Sequence, residues 1–261
     1  MAHAPGTFSW FECGTTNAAA AKKFYTSVFG WTAIDKPLPG DMEGQYTMLK
    51  KGDADVAGLY EMSGPMFEGV PSHWMTYVTV DDVDEKATKA AELGGKVIAP
   101  PMDVPEVGRI AFLEDNTGSK FGLFKPGAHK GAAQLGPLDG TFGWTELATR
   151  DTAAAKVFYS GLFDWKPKDS EIPGMPYTEW VAQEQSVGGM MEMTPEHGDA
   201  PPHWMPYVFV DDCDAIMAKV DAGGGTTLVP AMDIPNVGRM GVFMDPTGAA
   251  LAVIKMEHSQ K

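Results

Sequence analysis

Residues 8–31 read FSWFECGTTNAAAAKKFYTSVFGW, and residues 142–165 read FGWTELATRDTAAAKVFYSGLFDW. Both contain a short apolar run, an Asn or Asp, an alanine-rich segment, a Phe-Tyr pair, and a closing Gly-Trp or Asp-Trp. Two later stretches also recur. SHWMTYVTVDDVD (72–84) returns as PHWMPYVFVDDCD (202–214), and PPMDVPEVGRIAFLEDNTG (100–118) returns as PAMDIPNVGRMGVFMDPTG (230–248). A period this long means two complete domains, because solenoid repeats are far shorter. Trp10 matches Trp144 and His73 matches His203, so the first copy has four more residues between these landmarks (144 − 10 = 134; 203 − 73 = 130).

The chain has 261 residues, enough for each copy to bury its own core. Its 44% hydrophobic and 21% charged content is ordinary for a globular protein. No apolar run approaches the roughly 18–20 residues of a membrane span. The opening MAHAPGTFSW shows no basic segment followed by an apolar one. No membrane partner is therefore expected, and a cytoplasmic location is. The net charge of −15, with no basic stripe to offset it, argues against nucleic acid. Cys13 and Cys213 match Leu147 and Val83 in the opposite copies and read as small buried hydrophobes.

Each copy opens with a strand, 8–13 or 142–147. A helix follows, with an apolar stripe through Ala21, Phe24, Tyr25 and Val28 in the first copy. Asn17 and Asp151 stand at the N-cap, and Gly30 or Asp164 stops the helix. Three strands are expected near 31–35, 45–50 and 55–62. The pattern then restarts. His73–Val80 alternates, Asp82 or Asp81 caps a helix over 83–93, and Gly94–Gly95 ends it. Strands follow near 96–99, 108–114 and 119–125. The chain thus reads as four βαβββ modules of α+β class. The first domain covers 7–126 and the second 141–256. The Gly-, Ala- and Pro-rich stretch 127–140 links them. The two domains are expected to pack as an internal pseudo-dimer.

This order of elements, with the FYTSVFGW helix end, the VDDVD helix start and the FLEDNTG strand-turn, resembles the vicinal oxygen chelate superfamily. That group holds glyoxalases, extradiol dioxygenases, and bleomycin and fosfomycin resistance proteins. The resemblance implies two tandem domains in which paired βαβββ modules form a half-barrel around a cleft. It also implies a divalent ion held from the first, fifth and eighth strands, sometimes with a ligand from the fourth. The matching positions here are Trp10, Met75 and Gly122 in the first copy, and Trp144, Met205 and Ala252 in the second. Indole nitrogen only donates, a thioether is soft, and Gly and Ala offer no ligand. No metal or other cofactor is expected at these positions.

Strand alternation puts i and i+2 on one face. Glu12 therefore shares a face with Trp10, and His73 with Met75 and Tyr77. Glu146, Trp144, His203, Met205 and Tyr207 repeat the set. Glu and His facing one cleft read as a hydrogen-bonded rim pair, as ligand anchors or proton carriers, or as two ligands of a relocated metal. Glu61 and Glu192 are possible third carboxylates. Counted from His73 and His203 they differ by one residue, which predicts opposite faces. Trp74 and Trp204 point the other way, toward a helix. Pro206 removes a ladder donor and suggests an edge or a bulge. In the repeated D-[VI]-P-x-V-G-R segment, Arg109 and Arg239 pair with the hairpin aspartate or reach over the cleft to an anionic ligand.

The expected function is a glyoxalase/bleomycin-resistance-like protein that binds a small, largely apolar or aromatic molecule without the usual metal. The ligand-binding candidates are Trp10, Glu12, His73, Met75, Tyr77, Arg109, Trp144, Glu146, His203, Met205, Tyr207 and Arg239. The alternative is an enzyme of the same superfamily, such as a hydroxylase, lyase or isomerase of small-molecule or natural-product metabolism. Its catalytic candidates are Glu12, His73, Glu146 and His203, with or without a relocated metal.

Overall fold

The computed structural model describes residues 3–38, 44–170 and 176–257. β1 (Phe8–Thr15) runs into α1 (Ala18–Phe29), whose first turn is capped by the Asn17 side chain accepting from the Ala20 amide. Gly30 ends α1 at φ 66°, a left-handed position that suits glycine. β2 (Thr32–Pro37), β3 (Gln45–Lys51) and β4 (Ala54–Glu61) complete the first module. β5 (His73–Thr79), α2 (Val83–Glu92), β6 (Lys96–Val104), β7 (Gly108–Glu114) and β8 (Lys120–Pro126) form the second. Asp82 caps α2 by accepting from the Glu85 amide.

The second copy repeats the series. Its third module is β9 (Thr141–Thr149), α3 (Thr152–Phe163), β10 (Lys166–Ser170), β11 (Tyr177–Ala182) and β12 (Gln185–Glu192). Its fourth is β13 (His203–Phe209), α4 (Cys213–Ala222), β14 (Thr226–Ile234), β15 (Gly238–Met244) and β16 (Ala250–Met256). Each copy forms one eight-stranded sheet, in the orders β2-β3-β4-β1-β5-β8-β7-β6 and β10-β11-β12-β9-β13-β16-β15-β14. The fold is α+β, as the doubled pattern requires. Among the described residues no helix is long and apolar enough to cross a membrane.

Pro206 does not mark an edge. β13 lies inside its sheet, between β9 and β16. Its parallel ladder to β16 opens at Tyr207 opposite Ala252, so the residue lacking an amide proton comes just before the first pair of that ladder. A proline is compatible with an interior strand where that ladder does not call on its nitrogen.

The compact bodies do not coincide with the sequence copies. One body joins the chain up to Trp10, the stretch from Met75 to Gly131, and that from Trp144 to Met205. The other joins Phe11 to Trp74, Ala132 to Gly143, and the chain from Pro206 onward. Each body thus unites a module from one copy with a module from the other.

In the first body, Phe121, Phe158, Tyr159, Trp165 and Trp204 form a buried aromatic core. Trp204 Nε1 donates to Tyr159 Oη at 2.8 Å, and Tyr159 Oη donates to Asp115 Oδ2 at 2.7 Å. Asp115 Oδ1 also accepts from the Thr117 and Ser119 amides. The aspartate of FLEDNTG therefore shapes its own turn and anchors a helix of the other copy.

In the second body, Phe24, Tyr25, Phe29, Trp31 and Phe243 pack likewise. Trp74 Nε1 donates to Tyr25 Oη at 2.8 Å. Trp74 and Trp204 thus pack beneath helices, as alternation along β5 and β13 requires. Cys13 and Cys213 are buried free thiols. Burial pushes the Cys13 thiol well up and that of Cys213 to about 11, so both stay protonated and inert at neutral pH.

Candidate functional site

In the second copy, Trp144 and Glu146 on β9, Tyr177 on β11, and His203 and Met205 on β13 all belong to the first body. Glu146 stands opposite Gly189 in the parallel β9/β12 ladder. Tyr177 lies across that glycine. A Cβ on residue 189 would fall 1.8 Å from Tyr177 Oη and 2.3 Å from Cζ, so only glycine leaves room for the ring. The hydroxyl accepts from Trp144 Nε1 at 2.9 Å and donates to Glu146. Burial first, and the neighbouring Glu146 second, push the Tyr177 pKa well above the ordinary tyrosine value. The phenol therefore stays a donor at neutral pH, and the half-buried Trp144 indole is pinned by its own N–H.

His203 is half-buried, with Nδ1 at 2.9 Å from Pro201 O. A carbonyl only accepts, so Nδ1 carries the proton, and in the neutral ring the lone pair sits on Nε2. Burial lowers the His203 pKa, the Pro201 bond opposes that, and His197 lowers it further. The ring is neutral at pH 7. Met205 is half-buried on the same face of β13.

In the first copy, the same residue set is divided between the two bodies, with breaks between Trp10 and Phe11 and between Trp74 and Met75. In the second body, Glu12 stands opposite Gly58 and accepts from Tyr46 Oη at 2.6 Å. A Cβ on residue 58 would fall 1.8 Å from Tyr46 Oη, the same device as at Gly189. Tyr60 pairs across from Tyr46, at the position of Met191 in the second copy. Burial and then Glu12 raise the Tyr60 pKa. His73 Nδ1 donates to Pro71 O at 2.9 Å. In the first body, Trp10 is only 5% exposed and packs edge-on against His129, with ring centroids 4.5 Å apart. Met75 and Tyr77 are buried. Tyr207, the counterpart of Tyr77, is buried in the second body.

Glu61 and Glu192 share one register. Glu61 pairs with Thr15 and Glu192 with Thr149, so the expected one-residue slip is absent, and one of the first copy's extra residues follows β4. Glu61 Oε2 accepts from the Ala18 amide at 3.0 Å and supports the α1 N-terminus. It lies on the helix side of its sheet, away from Glu12.

Arg109 forks onto Asp84 at 2.6 and 2.8 Å and reaches Asp103 at 3.1 Å. Arg239 repeats this with Asp214 at 2.7 and 2.8 Å and with Asp233 at 3.0 Å. Asp84 and Asp214 lie in the first turns of α2 and α4. Both guanidinium forks are thus taken by carboxylates on the helix side, and no anion is assigned to them.

Tyr46, Tyr177, Gly58 and Gly189 escaped the sequence reading. Their signal was the matched Tyr-Thr at the third strand of the first and third modules (46–47; 177–178) and the glycine twelve residues after each tyrosine.

The residues do not fit the superfamily's metal. Trp10 and Met75 offer no hard ligand. A side chain at residue 122 would meet the Tyr77 ring, which stands 2.2 Å from where its Cβ would be. Trp144, Met205 and the fully buried Ala252 repeat the deficit. Among the described residues, no three His, Cys, Asp or Glu side chains group in a way that could hold an ion.

Comparison with known proteins agrees with this architecture. The Glyoxalase/Bleomycin resistance protein/Dioxygenase superfamily matches residues 7–123 and 141–253. "Putative glyoxylase CFP32" of Mycobacterium tuberculosis is 40% identical over 251 residues, covering 96% of this chain and 95% of that protein. "Anthracycline biosynthesis protein DnrV" of Streptomyces peucetius is 34% identical over 265 residues, covering 97% and 94%. The Mn(II)-bound glyoxalase from Novosphingobium aromaticivorans superposes with a TM-score of 0.62 at 16% identity, covering 97% of this chain and 83% of that one. The 2,3-dioxygenase LapB from Pseudomonas sp. KL28 gives 0.63 at 11% identity, covering 98% and 96%. These two likenesses speak to the fold. With two matched segments spanning nearly all of the doubled βαβββ pattern, the chain belongs to the glyoxalase/bleomycin resistance protein/dioxygenase superfamily, the vicinal oxygen chelate group, as a tandem member.

Proposed function

We propose that the protein binds a small, planar, largely aromatic molecule on its sheet face and does so without the superfamily's metal. One observation carries this reading. The Trp144 indole is half-exposed, yet its N–H is tied to Tyr177, which is itself tied to Glu146. A stacking wall fixed before the ligand arrives loses little entropy on binding. Stacking adds about 0.5–1.5 kcal/mol beyond area burial. Met205, half-buried on β13, supplies adaptable apolar contact. The Streptomyces relative, named as an anthracycline biosynthesis protein, points the same way.

The test is equilibrium binding by tryptophan fluorescence across a panel of polycyclic aromatic compounds, with protein stripped by a chelator. Quenching that saturates without added metal is expected. The reading fails if no member binds, or if binding appears only on adding manganese, iron or zinc.

A second reading, catalysis of proton transfer by a lyase- or isomerase-type member, is favoured by one feature. His203 is held neutral with its basic nitrogen defined as Nε2. Turnover of a bound aromatic that His203→Gln abolishes, with affinity kept, would establish it.

A further inference from the structure

We infer that the sheet face of the first copy holds a further binding subsite, in which the Tyr60 hydroxyl donates to the carbonyl oxygen of a neutral aromatic ketone, and that the second copy has no group to make this contact. The subsite lies in the other copy from Trp144, so it stands or falls apart from the reading above.

Gly14 locates it. Alternation along β1 puts Gly14 on the Glu12 face, and Gly14 stands opposite Tyr60 in the parallel β1/β4 ladder. Its φ is not positive, so the backbone does not ask for glycine there. The neighbours do. A Cβ on residue 14 would lie 3.0 Å from Tyr60 Oη, 3.2 Å from Met62 Sδ and 3.3 Å from His73 Cε1. Three side chains thus converge over a bare piece of backbone, and the phenol oxygen comes nearest. The second copy pairs Ala148 with Met191 at the same register. A methyl group and a thioether replace the bare backbone and the hydroxyl. Both copies keep the tyrosine that donates to the β1 or β9 glutamate, Tyr46 to Glu12 and Tyr177 to Glu146. The faces therefore share that bond and differ in one donor.

The surroundings of that donor set the ligand's chemistry. Tyr60 is half-buried. Burial first, and Glu12 second, hold its pKa above the ordinary tyrosine value, so the hydroxyl keeps its proton. Among the described residues that hydroxyl has no hydrogen-bond partner. A phenol shielded from water normally finds an acceptor, and a bound molecule can supply one. The Phe67 ring lies 6.0 Å from that of Tyr60, tilted by 54°. Met48, opposite Gly58, and Met62 are half-buried nearby along the chain. One donor in an apolar setting suits one acceptor on a flat apolar body, which an aromatic ketone provides. A carboxylate or sulfonate would meet the Glu12 charge and the chain's net charge of −15.

Titration calorimetry with fluorenone, and with fluorene as the same ring system without oxygen, tests this. It is run on the intact chain and on Trp144→Ala. Fluorenone is expected to bind about two- to tenfold tighter than fluorene, as one neutral hydrogen bond provides. Tyr60→Phe should remove that preference and leave fluorene affinity unchanged, which also shows that the variant is folded. Trp144→Ala should keep the preference. In infrared difference spectra the bound carbonyl band should move to higher wavenumber in Tyr60→Phe, as a carbonyl does on losing a donor. A preference and a band that Tyr60→Phe leaves unchanged overturn the inference. So does fluorenone carboxylate binding as tightly as fluorenone, or no binding of either ring system. Binding that Trp144→Ala abolishes and Tyr60→Phe leaves alone overturns this inference and keeps the reading above. A Tyr60-dependent preference that survives Trp144→Ala, with the wider aromatic panel bound only on adding metal, does the reverse.

Discussion

Gly189→Ala isolates the device that holds the candidate site together. Residue 189 is not among the positive-φ glycines, so its backbone accepts alanine. The new methyl would lie 1.8 Å from Tyr177 Oη, and the ring must swing away. That breaks the bond from Trp144 Nε1 and the bond to Glu146 together. A neutral bond contributes about 0.5–1.5 kcal/mol net, and one to a carboxylate about 1.5–3 kcal/mol. Trp144, Glu146 and Tyr177 are all half-exposed, so water restores part of this. Removing a glycine from the unfolded chain returns about 0.4–1 kcal/mol. The net loss is about 2 kcal/mol, or a fall in Tm of about 4–8 °C for a chain of this size. Thermal unfolding followed by near-ultraviolet circular dichroism measures it. The decisive control is a double-mutant cycle with Tyr177→Ala. In that background the alanine at 189 meets no ring and should cost less than about 0.5 kcal/mol. An unchanged Tm for Gly189→Ala, or an equal loss in both backgrounds, would refute the reasoning. Gly58→Ala with Tyr46→Ala offers the same cycle in the first copy.

Tyr159→Phe keeps the buried ring but leaves Trp204 Nε1 and Asp115 Oδ2 without their shared hydroxyl. A loss of about 2–4 kcal/mol in urea unfolding is expected, and one under about 0.5 kcal/mol would contradict the network. His203 has a folded pKa below its unfolded value of 6.5, so the unfolded chain takes up the proton first. Its stability contribution is complete above that value and falls as pH drops from there through the folded pKa. His203→Gln should flatten this acid limb in urea midpoints measured across it, and a limb of unchanged slope would remove His203 as the cause. Arg109→Lys and Arg239→Lys keep the charge but lose the fork. With side chains about a third exposed, each should lower Tm by at most about 1–2 °C, less in high salt.

Much of this protein was legible in its sequence. The doubled FY…W, HWM…VDD and DxTG stretches are local signals. Asn17, Asp82, Asp151 and Asp212 cap helices because a short polar side chain can reach the amide three residues on, and that reach is set by covalent geometry. Alternation on β1, β5, β9 and β13 sorts Trp74 and Trp204 from His73 and His203 for the same reason. That Trp10, Met75, Gly122 and their counterparts carry no hard ligand atom was also readable, since side-chain chemistry does not depend on placement. What neighbouring strands do to one another was not readable. Tyr177 meets Glu146 only because β12 puts a glycine between them, and Pro206 sits inside a sheet, one residue before the ladder to β16 opens. Arg109 could face an anion or an aspartate on sequence grounds, and the packing of α2 against its sheet gave it Asp84. The repeat reads as two successive domains, yet Tyr159 of one copy closes on Asp115 of the other. Periodicity specifies which face of a module is apolar. Which module covers that face depends on long-range packing, and two modules of similar pattern present similar apolar faces, so only the tertiary structure decides between them.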